Sequence, residues 1–332
     1  MIDQSRILSC LYFVSPIFSL LLTVNACERE DSESLSHSQG ESRELKEQGL
    51  IFASTYILKA MAQNILDDDE SDRVRLIFDH RQDVASSMPS EEIRASLQMA
   101  RLIILNGADL EKGLSSVDLP LGRTIKTAAA FKNEWLTYPE RFQGEQHQHG
   151  PRGSHQHKGV DGHTWLSPRL LLLQLDALAE EISLRRIKIN ASKYQNLRSS
   201  IEKLWLDWQK LVPHLISRRL LSNHPAYQYL ARDLGIQMSI FDIDPSRPVT
   251  KKTWEELELI QTQVAQKKSL PSIMFWESEP SEETRKSLES LDIKHIVVSP
   301  LEQKPEEDLT LIEVLFSQVR SLERGLMMRE TH

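Results

Sequence analysis

Residues 191–215 have the sequence ASKYQNLRSSIEKLWLDWQKLVPHL, which is the most sustained helical pattern in the chain. Its apolar residues recur at spacings of three and four, as on the buried face of a helix. About 25 residues at 1.5 Å each make a helix of roughly 37 Å. We predict a rigid link between two lobes, and an ordinary long helix inside one domain is the alternative. The apolar positions are Tyr194, Leu197, Ile201, Leu204, Trp205, Trp208, Leu211 and Leu215.

Short runs rich in Ile, Val and Leu lie on both sides of this helix, with helical patterns between them. Such alternation predicts parallel sheets flanked by helices. The fold class is therefore α/β, with two Rossmann-like lobes joined by a single long rigid helix. The runs are 50–54, 74–78, 101–105, 219–222, 238–241, 272–275 and 295–298. The helical patterns lie near 56–66, 90–100, 168–187, 225–234, 252–267, 281–291 and 308–325. The predicted divisions are an N-terminal lobe at 48–189, the linking helix at 190–217 and a C-terminal lobe at 218–332.

Composition excludes several classes of protein. The 332 residues carry a net charge of −8, whereas nucleic-acid binders are normally basic. The two cysteines are too few for a disulfide framework or a cysteine-rich metal site. The sequence has no Walker A motif, no Rossmann glycine fingerprint, no Gly-x-Ser-x-Gly elbow and no His-Glu-x-x-His. Nucleotide-dependent chemistry, an α/β-hydrolase and a zincin protease therefore find little support in the sequence.

The N-terminus predicts export from the cytoplasm. Residues 7–24 are strongly apolar, and small Ala26 precedes Cys27, which together indicate a signal peptide over 1–26. A cysteine at the new N-terminus is the arrangement of bacterial lipoproteins, so Cys27 is the expected lipidation site. Residues 27–47 then form an acidic, serine-containing tether. The alternatives are a retained membrane anchor and a soluble periplasmic protein, and both also lie outside the cytoplasm.

Polar side chains that follow the predicted strands are candidates for a site. Ligands of parallel sheets bind at the carboxyl ends of the strands, and imidazole with carboxylate ligands suits Zn²⁺ or Mn²⁺. Taken singly, each of these residues could equally cap a turn or face solvent. The candidates are Asp79, His80, Asp83, His224, Asp242, Asp244, Glu277 and Ser299, together with His163 ahead of a helix.

A histidine-rich loop is predicted over 143–162. Within it, EQHQHGPRGSHQH (145–157) combines two His-x-His pairs with glycine and proline. Four imidazoles at this density indicate weak, mobile metal binding. A merely soluble loop is the alternative. The four side chains are His147, His149, His155 and His157.

Five segments, in order, resemble the zinc/manganese solute-binding proteins of bacterial ABC importers, the TroA-like cluster A-I group. MPSEEIRASLQMARLIILNGADLE (88–111) is similar to the family's TPSD-helix-ADLVVYNGxxLE, and DGHTWLSP (161–168) to its DPHxWLSP. SNHPAYQYLARDLGI (222–236) resembles FHDAYGYFAxxYGL. The remaining two are INASKYQNLRSSIEKL (189–204), similar to the start of the linking helix, and VVSPL (297–301), similar to LDPL.

The resemblance implies metal bound between the lobes by three histidines, with an Asp or water completing the site. His163 and His224 match the second and third histidines. Asp83 stands where the family has its first, and Ser299 where it has the Asp of LDPL. The implied ligands are therefore His163, His224 and Asp83. His80, Glu277 and Ser299 are further candidates to touch the metal or its ligands.

The expected function is capture of Zn²⁺ for an ABC-transporter permease by a monomeric, lipid-anchored protein. Mn²⁺ is the alternative metal. Because of Asp83 and Ser299, a binding or adhesion module with a degenerate metal site is the alternative function. A metal-dependent hydrolase would need an open coordination position and a general base such as Asp83, and no motif supports one.

Overall fold

The structure is a computed structural model that describes residues 49–79, 82–140, 159–262, 271–305 and 309–327. For 146–148, 154–156 and 263–265 it describes the backbone alone. The predicted signal peptide 1–26, Cys27 and the tether 27–47 lie outside the described residues, as do His80, His149 and His157. Within the described ranges, no helix has both the length and the hydropathy needed to cross a bilayer.

The first half of the chain forms a four-stranded parallel sheet in the order β2-β1-β3-β4, and the three runs predicted there are strands. Its strands are β1 (Ile51–Ala53), β2 (Val74–Leu76), β3 (Leu102–Leu105) and β4 (Thr124–Lys126). Its helices are α1 (Tyr56–Ile65), α2 (Asp68–Ser71), α3 (Glu91–Met99) and α4 (Pro168–Leu184). Strand β1 pairs Ile51 with both Val74 and Leu102, and all three are fully buried. Strand β4 was not predicted from the sequence. It has only three residues and one buried apolar side chain, so it shows no hydrophobic periodicity.

The histidine-rich segment contains a short antiparallel pair, β5 (Gln146–Gln148) and β6 (Ser154–Gln156). This differs from the predicted loop, although the five residues between the strands include two glycines and a proline. The register places the backbone of His147 opposite that of His155. Two of the four loop histidines are therefore neighbours across a hairpin.

The second half repeats the architecture with a parallel sheet in the order β10-β9-β7-β8, and all four predicted runs are strands. The strands are β7 (Arg219–Ser222), β8 (Met238–Ile240), β9 (Ser272–Trp276) and β10 (Ile293–Val297). The helices are α6 (Gln228–Leu234), α7 (Lys251–Ala265), α8 (Glu282–Ser290) and α9 (Leu311–Met327). Every side chain of β9 is buried, as expected for a central parallel strand covered on both faces.

The predicted linking helix is α5 (Ala191–Ile216), which precedes β7 in the chain. It begins where the Asn190 side chain accepts a hydrogen bond from the Lys193 amide, a standard N-cap. Leu197 and Ile201 pack in the apolar core of the first sheet, whereas Leu204 and Trp208 pack in the core of the second. The apolar stripe of α5 thus packs in both cores. The division of the chain at 189/190 and 217/218 stays a proposal.

Helix α9 contacts both cores as well. Leu311 and Val314 lie in the core of the first sheet, and Val319 and Leu322 lie in that of the second. The sequence did not indicate this, because an amphipathic stripe shows that a helix is buried but does not say against what. The two halves are therefore held together by α9 in addition to the long helix α5.

Candidate metal centre

His163 lies in a tight loop directly ahead of α4. Gly162 allows that loop to approach Leu110, because a Cβ at position 162 would lie 2.8 Å from the Leu110 Cβ. After a single 3-10 turn (Thr164–Leu166), the Ser167 side chain caps α4 and Pro168 occupies its first turn. The loop geometry thus follows from the local sequence DGHTWLSP, and it buries the imidazole to 4% exposure.

Buried polar groups beneath this loop fix its position. The Asn106 side chain donates to the Gly162 carbonyl (2.8 Å) and accepts from the Thr164 hydroxyl (3.0 Å). The Gln174 amide donates to Asn106 Oδ1 and to Thr127 Oγ1, both at 2.8 Å. All four of these side chains are at most 2% exposed. Buried networks that are satisfied in this way rigidify what they support.

Both ring nitrogens of His163 contact carboxylates. Nδ1 lies 2.8 Å from Asp161 Oδ1, and Nε2 lies 2.9 Å from Glu302 Oε1. Burial opposes charging of the ring, but the hydrogen bonds and charges of Asp161 and Glu302 outweigh it and raise the pKa of His163 to about 10. The imidazole is therefore protonated at neutral pH and forms a buried ion-pair cluster with the two acids. The Tyr138 hydroxyl lies 3.4 Å from Nδ1.

His224 follows β7 and is also buried, at 3% exposure. Its ring lies edge-on to His163 with the centroids 5.3 Å apart. Two imidazoles bound to one tetrahedral Zn²⁺ at the usual distances have centroids about 5 Å apart. The two histidines that the sequence predicted thus lie at a spacing compatible with a shared metal ion.

Glu302 is a site residue that the sequence analysis missed. It lies three positions after Ser299, where the family resemblance places an acid, and it directly follows Leu301, which adopts a positive φ of 58°. Its carbonyl accepts from the Tyr56 amide at 2.8 Å, and the preceding Pro300 carbonyl accepts from Trp165 Nε1 at 2.6 Å. These contacts bring the carboxylate to His163. An acid immediately after the SPL motif was the available signal.

Three other predicted residues make hydrogen bonds within or next to their own loops. Asp83 is 8% exposed, and its Oδ1 accepts from the amides of Ala85 (2.6 Å) and Ser86 (3.2 Å). Ser299 Oγ accepts from the Leu301 amide at 3.3 Å. The Glu277 amide donates to Oδ1 of Asn223, the residue before His224.

One hydrogen bond links the Asp83 segment to the Glu302 segment. Gln303 Nε2 donates to the Gln82 carbonyl at 3.0 Å. Among the described residues, no three His, Cys, Asp or Glu side chains already stand in a metal-binding arrangement. The geometry is instead that of an acid–imidazole cluster, in which both ring nitrogens of His163 contact carboxylate oxygens.

The fold and this site define a two-lobed α/β binding protein with a buried imidazole pair at the carboxyl ends of its strands. The chain belongs to the family described as zinc-uptake complex component A, periplasmic (ZnuA), whose sequence profile matches residues 51–325.

Among known proteins, the chain is similar to the zinc-binding lipoprotein AdcA of Streptococcus pneumoniae strain R6, with 25% identity over 233 residues. That match covers 66% of this chain and 44% of AdcA, so the chain spans about half the length of this relative. Its fold is similar to that of the Zn(II)-bound ZnuA-like domain of S. pneumoniae AdcA, with TM-score 0.64, 18% identity and coverage of 84% and 98% of the two chains. The laminin-binding protein Lbp of Streptococcus pyogenes gives TM-score 0.57, 19% identity and coverage of 83% and 98%.

Proposed function

We propose that the protein captures Zn²⁺ between its two lobes for delivery to the permease of an ABC importer. The observation that carries the proposal is the buried contact of His163 with both His224 and Glu302, with Nδ1 of His163 oriented by Asp161. An imidazole that gives one nitrogen to a carboxylate and directs the other at the metal is the usual arrangement of zinc-bound histidine. Membership of a zinc-uptake family supports the cargo.

The proposed ligands are His163, His224, Glu302 and Asp83. Two imidazoles and two carboxylates make a four-coordinate nitrogen and oxygen set, which suits Zn²⁺ and also accommodates Mn²⁺. Glu302 supplies the acid that Ser299 cannot. The Gln303–Gln82 hydrogen bond holds the segment of Asp83 beside that of Glu302.

Zinc titration of the purified protein tests this proposal. At 100 times Kd, binding adds about 2.7 kcal/mol, so Tm should rise by roughly 4–5 °C for a protein of this size. His163→Ala combined with His224→Ala should weaken binding more than about 100-fold, since outer-shell changes alone cost roughly 10–100-fold. His295→Ala is the matched control. His295 lies on β10 of the second sheet, where its Nε2 is 3.7 Å from Glu279 Oε2. An unchanged Tm, with no metal found by elemental analysis, would refute zinc capture.

The same titration assigns the carboxylates. Asp83→Asn keeps an oxygen that can accept from Ala85 and Ser86, so the turn persists while the charge is removed. Glu302→Gln does the same at the second acid. Both variants should bind Zn²⁺ more weakly than the unmodified protein. If a variant binds Zn²⁺ as tightly as the unmodified protein does, the substituted residue is not a ligand. If the unmodified protein prefers Mn²⁺ to Zn²⁺, its cargo is Mn²⁺.

The family is one of uptake components rather than enzymes, and its name includes a periplasmic location. We infer that this protein works outside the cytoplasm as a monomer, anchored to the membrane by a lipid on Cys27. The lipoprotein name of AdcA supports the anchor. The fold shared with Lbp supports the architecture alone, so adhesion carries less weight than metal uptake.

A further inference from the structure

Asp161 is a completely buried carboxylate that receives hydrogen bonds from both halves of the molecule. On its own loop, Oδ1 accepts from the backbone amide of His163 (3.0 Å) and faces Nδ1 of the same residue (2.8 Å). Its other oxygen, Oδ2, accepts from Nε2 of Gln228 at 3.0 Å. Gln228 is the first residue of α6, which belongs to the second sheet's half of the chain.

The contact from Gln228 is held in place by its neighbours on α6. The Tyr229 hydroxyl donates to the Asp161 carbonyl (2.8 Å) and accepts from the Leu136 amide (3.0 Å). One turn further, Asp233 accepts from the Ser167 hydroxyl (2.5 Å) and forms an ion pair with Arg169. Gln228 therefore reaches Asp161 from a helix that is fastened to the first half at two further points.

We propose that Gln228 is a positioning residue of the metal site, acting on His163 through Asp161. The inference rests on the proposed function and deepens it. His163 holds one carboxylate oxygen of Asp161 and Gln228 holds the other, and the carboxylate held in this way orients the imidazole that it contacts. Because Gln228 belongs to the second half, this constraint exists only while α6 lies against the His163 loop. The approach of the two halves therefore sets the quality of His163 as a ligand, and their separation would loosen the metal.

Gln228→Ala tests the inference in the full-length protein with Zn²⁺ as the probe. Loss of an outer-shell hydrogen bond should weaken zinc binding about tenfold and speed zinc transfer to a chelator by a similar factor. Gln228→Glu places a second negative charge beside Asp161 and should weaken binding further. The visible spectrum of the Co²⁺-substituted protein reports ligand geometry directly, and it should change in both variants.

Gln261→Ala is the matched control, since its Nε2 also donates a hydrogen bond, in this case to the Leu291 carbonyl at 2.7 Å within the second half. It should leave zinc affinity and the Co²⁺ spectrum unchanged. If Gln228→Ala and Gln228→Glu bind Zn²⁺ within about twofold of an unmodified protein that does bind it, the inference is overturned and the proposed function stands. If the unmodified protein binds no Zn²⁺, the proposed function fails and this inference fails with it.

Discussion

At the scale of one residue, His163 shows what a metal ion would have to displace. Its Nε2 is 2.9 Å from Glu302 Oε1. Two ligand atoms of a tetrahedral Zn²⁺ lie about 3.4 Å apart when each is about 2.1 Å from the metal. Metal entry therefore requires a shift of roughly half an ångström and loss of the proton. Small rotations of the Glu302 side chain, which is 25% exposed, supply that shift.

Zinc binding near pH 7 should release about one proton from His163, because a metal-bound imidazole nitrogen must be deprotonated and the pKa of this ring is raised to about 10. Titration calorimetry in two buffers of different ionisation enthalpy measures the number of protons. Affinity should also increase as the pH rises from 6 to 9. The His295→Ala variant should release the same number. A binding enthalpy independent of the buffer would show that His163 is not protonated in the metal-free protein.

Helix α6 shows at the scale of one element how charge fastens the two halves. Asp233 is 5% exposed at its side chain and contacts Arg232, Arg169 and Ser167. Burial favours the neutral acid, yet the hydrogen bonds from Arg232, Ser167 and Arg169 outweigh it and lower the pKa of Asp233. Glu134 bridges the same two arginines from the first half. A helix of seven residues is too short to be stable through helix propensity alone. This cluster of charged side chains therefore stabilises it.

Asp233→Asn should lower the free energy of unfolding at pH 7 by about 2 kcal/mol, the cost of losing hydrogen bonds to charged groups. A carboxylate whose folded pKa is lowered stabilises the protein above its unfolded pKa, and that contribution is lost as the pH falls through the folded value. The difference between variant and parent should therefore shrink as the pH falls below the unfolded value of an aspartate and on through the lower folded pKa. Urea unfolding at several pH values measures it, with Asp292→Asn, in an exposed turn after α8, as control. A difference that stays constant with pH would exclude this electrostatic account.

At the scale of the whole molecule, α5 and α9 join the two cores. Helix α5 contributes Leu197 to the core of the first sheet and Leu204 to the core of the second. Helix α9 likewise contributes Val314 to the first core and Leu322 to the second. Because α5 and α9 cover both sheets, their loss from one sheet would also expose apolar surface of the other. The free energy of unfolding is thereby shared between the two halves.

Thermal unfolding of the metal-free protein should accordingly be one cooperative transition, with equal calorimetric and van't Hoff enthalpies. Leu204→Ala, at a site 2% exposed, should cost about 2–5 kcal/mol and lower the single Tm without splitting it. Leu206→Ala on the same helix, at a site 55% exposed, should have little effect. Two resolved transitions in the calorimeter would show that the halves unfold independently.

The sequence by itself determined the α/β class, seven of the eight strands in the two parallel sheets, the linking helix and the pair His163 and His224. These features are encoded by periodicities and motifs that operate over a few neighbouring residues. Strand β4, the hairpin at 146–156 and the second connection through α9 were not predicted, because short strands and helix partners carry no local signal.

Tertiary structure alone decided that Glu302 meets His163 and that Gln228 contacts Asp161, whereas Asp161 itself is only two residues from His163. Glu302 is 139 positions away in sequence and Gln228 contacts Asp161 across 67. Neither contact has a spacing rule, since both arise only when the two halves pack against each other. The local sequence therefore set the chemistry of the imidazole pair, and the packing of the two lobes set its charge and its orientation.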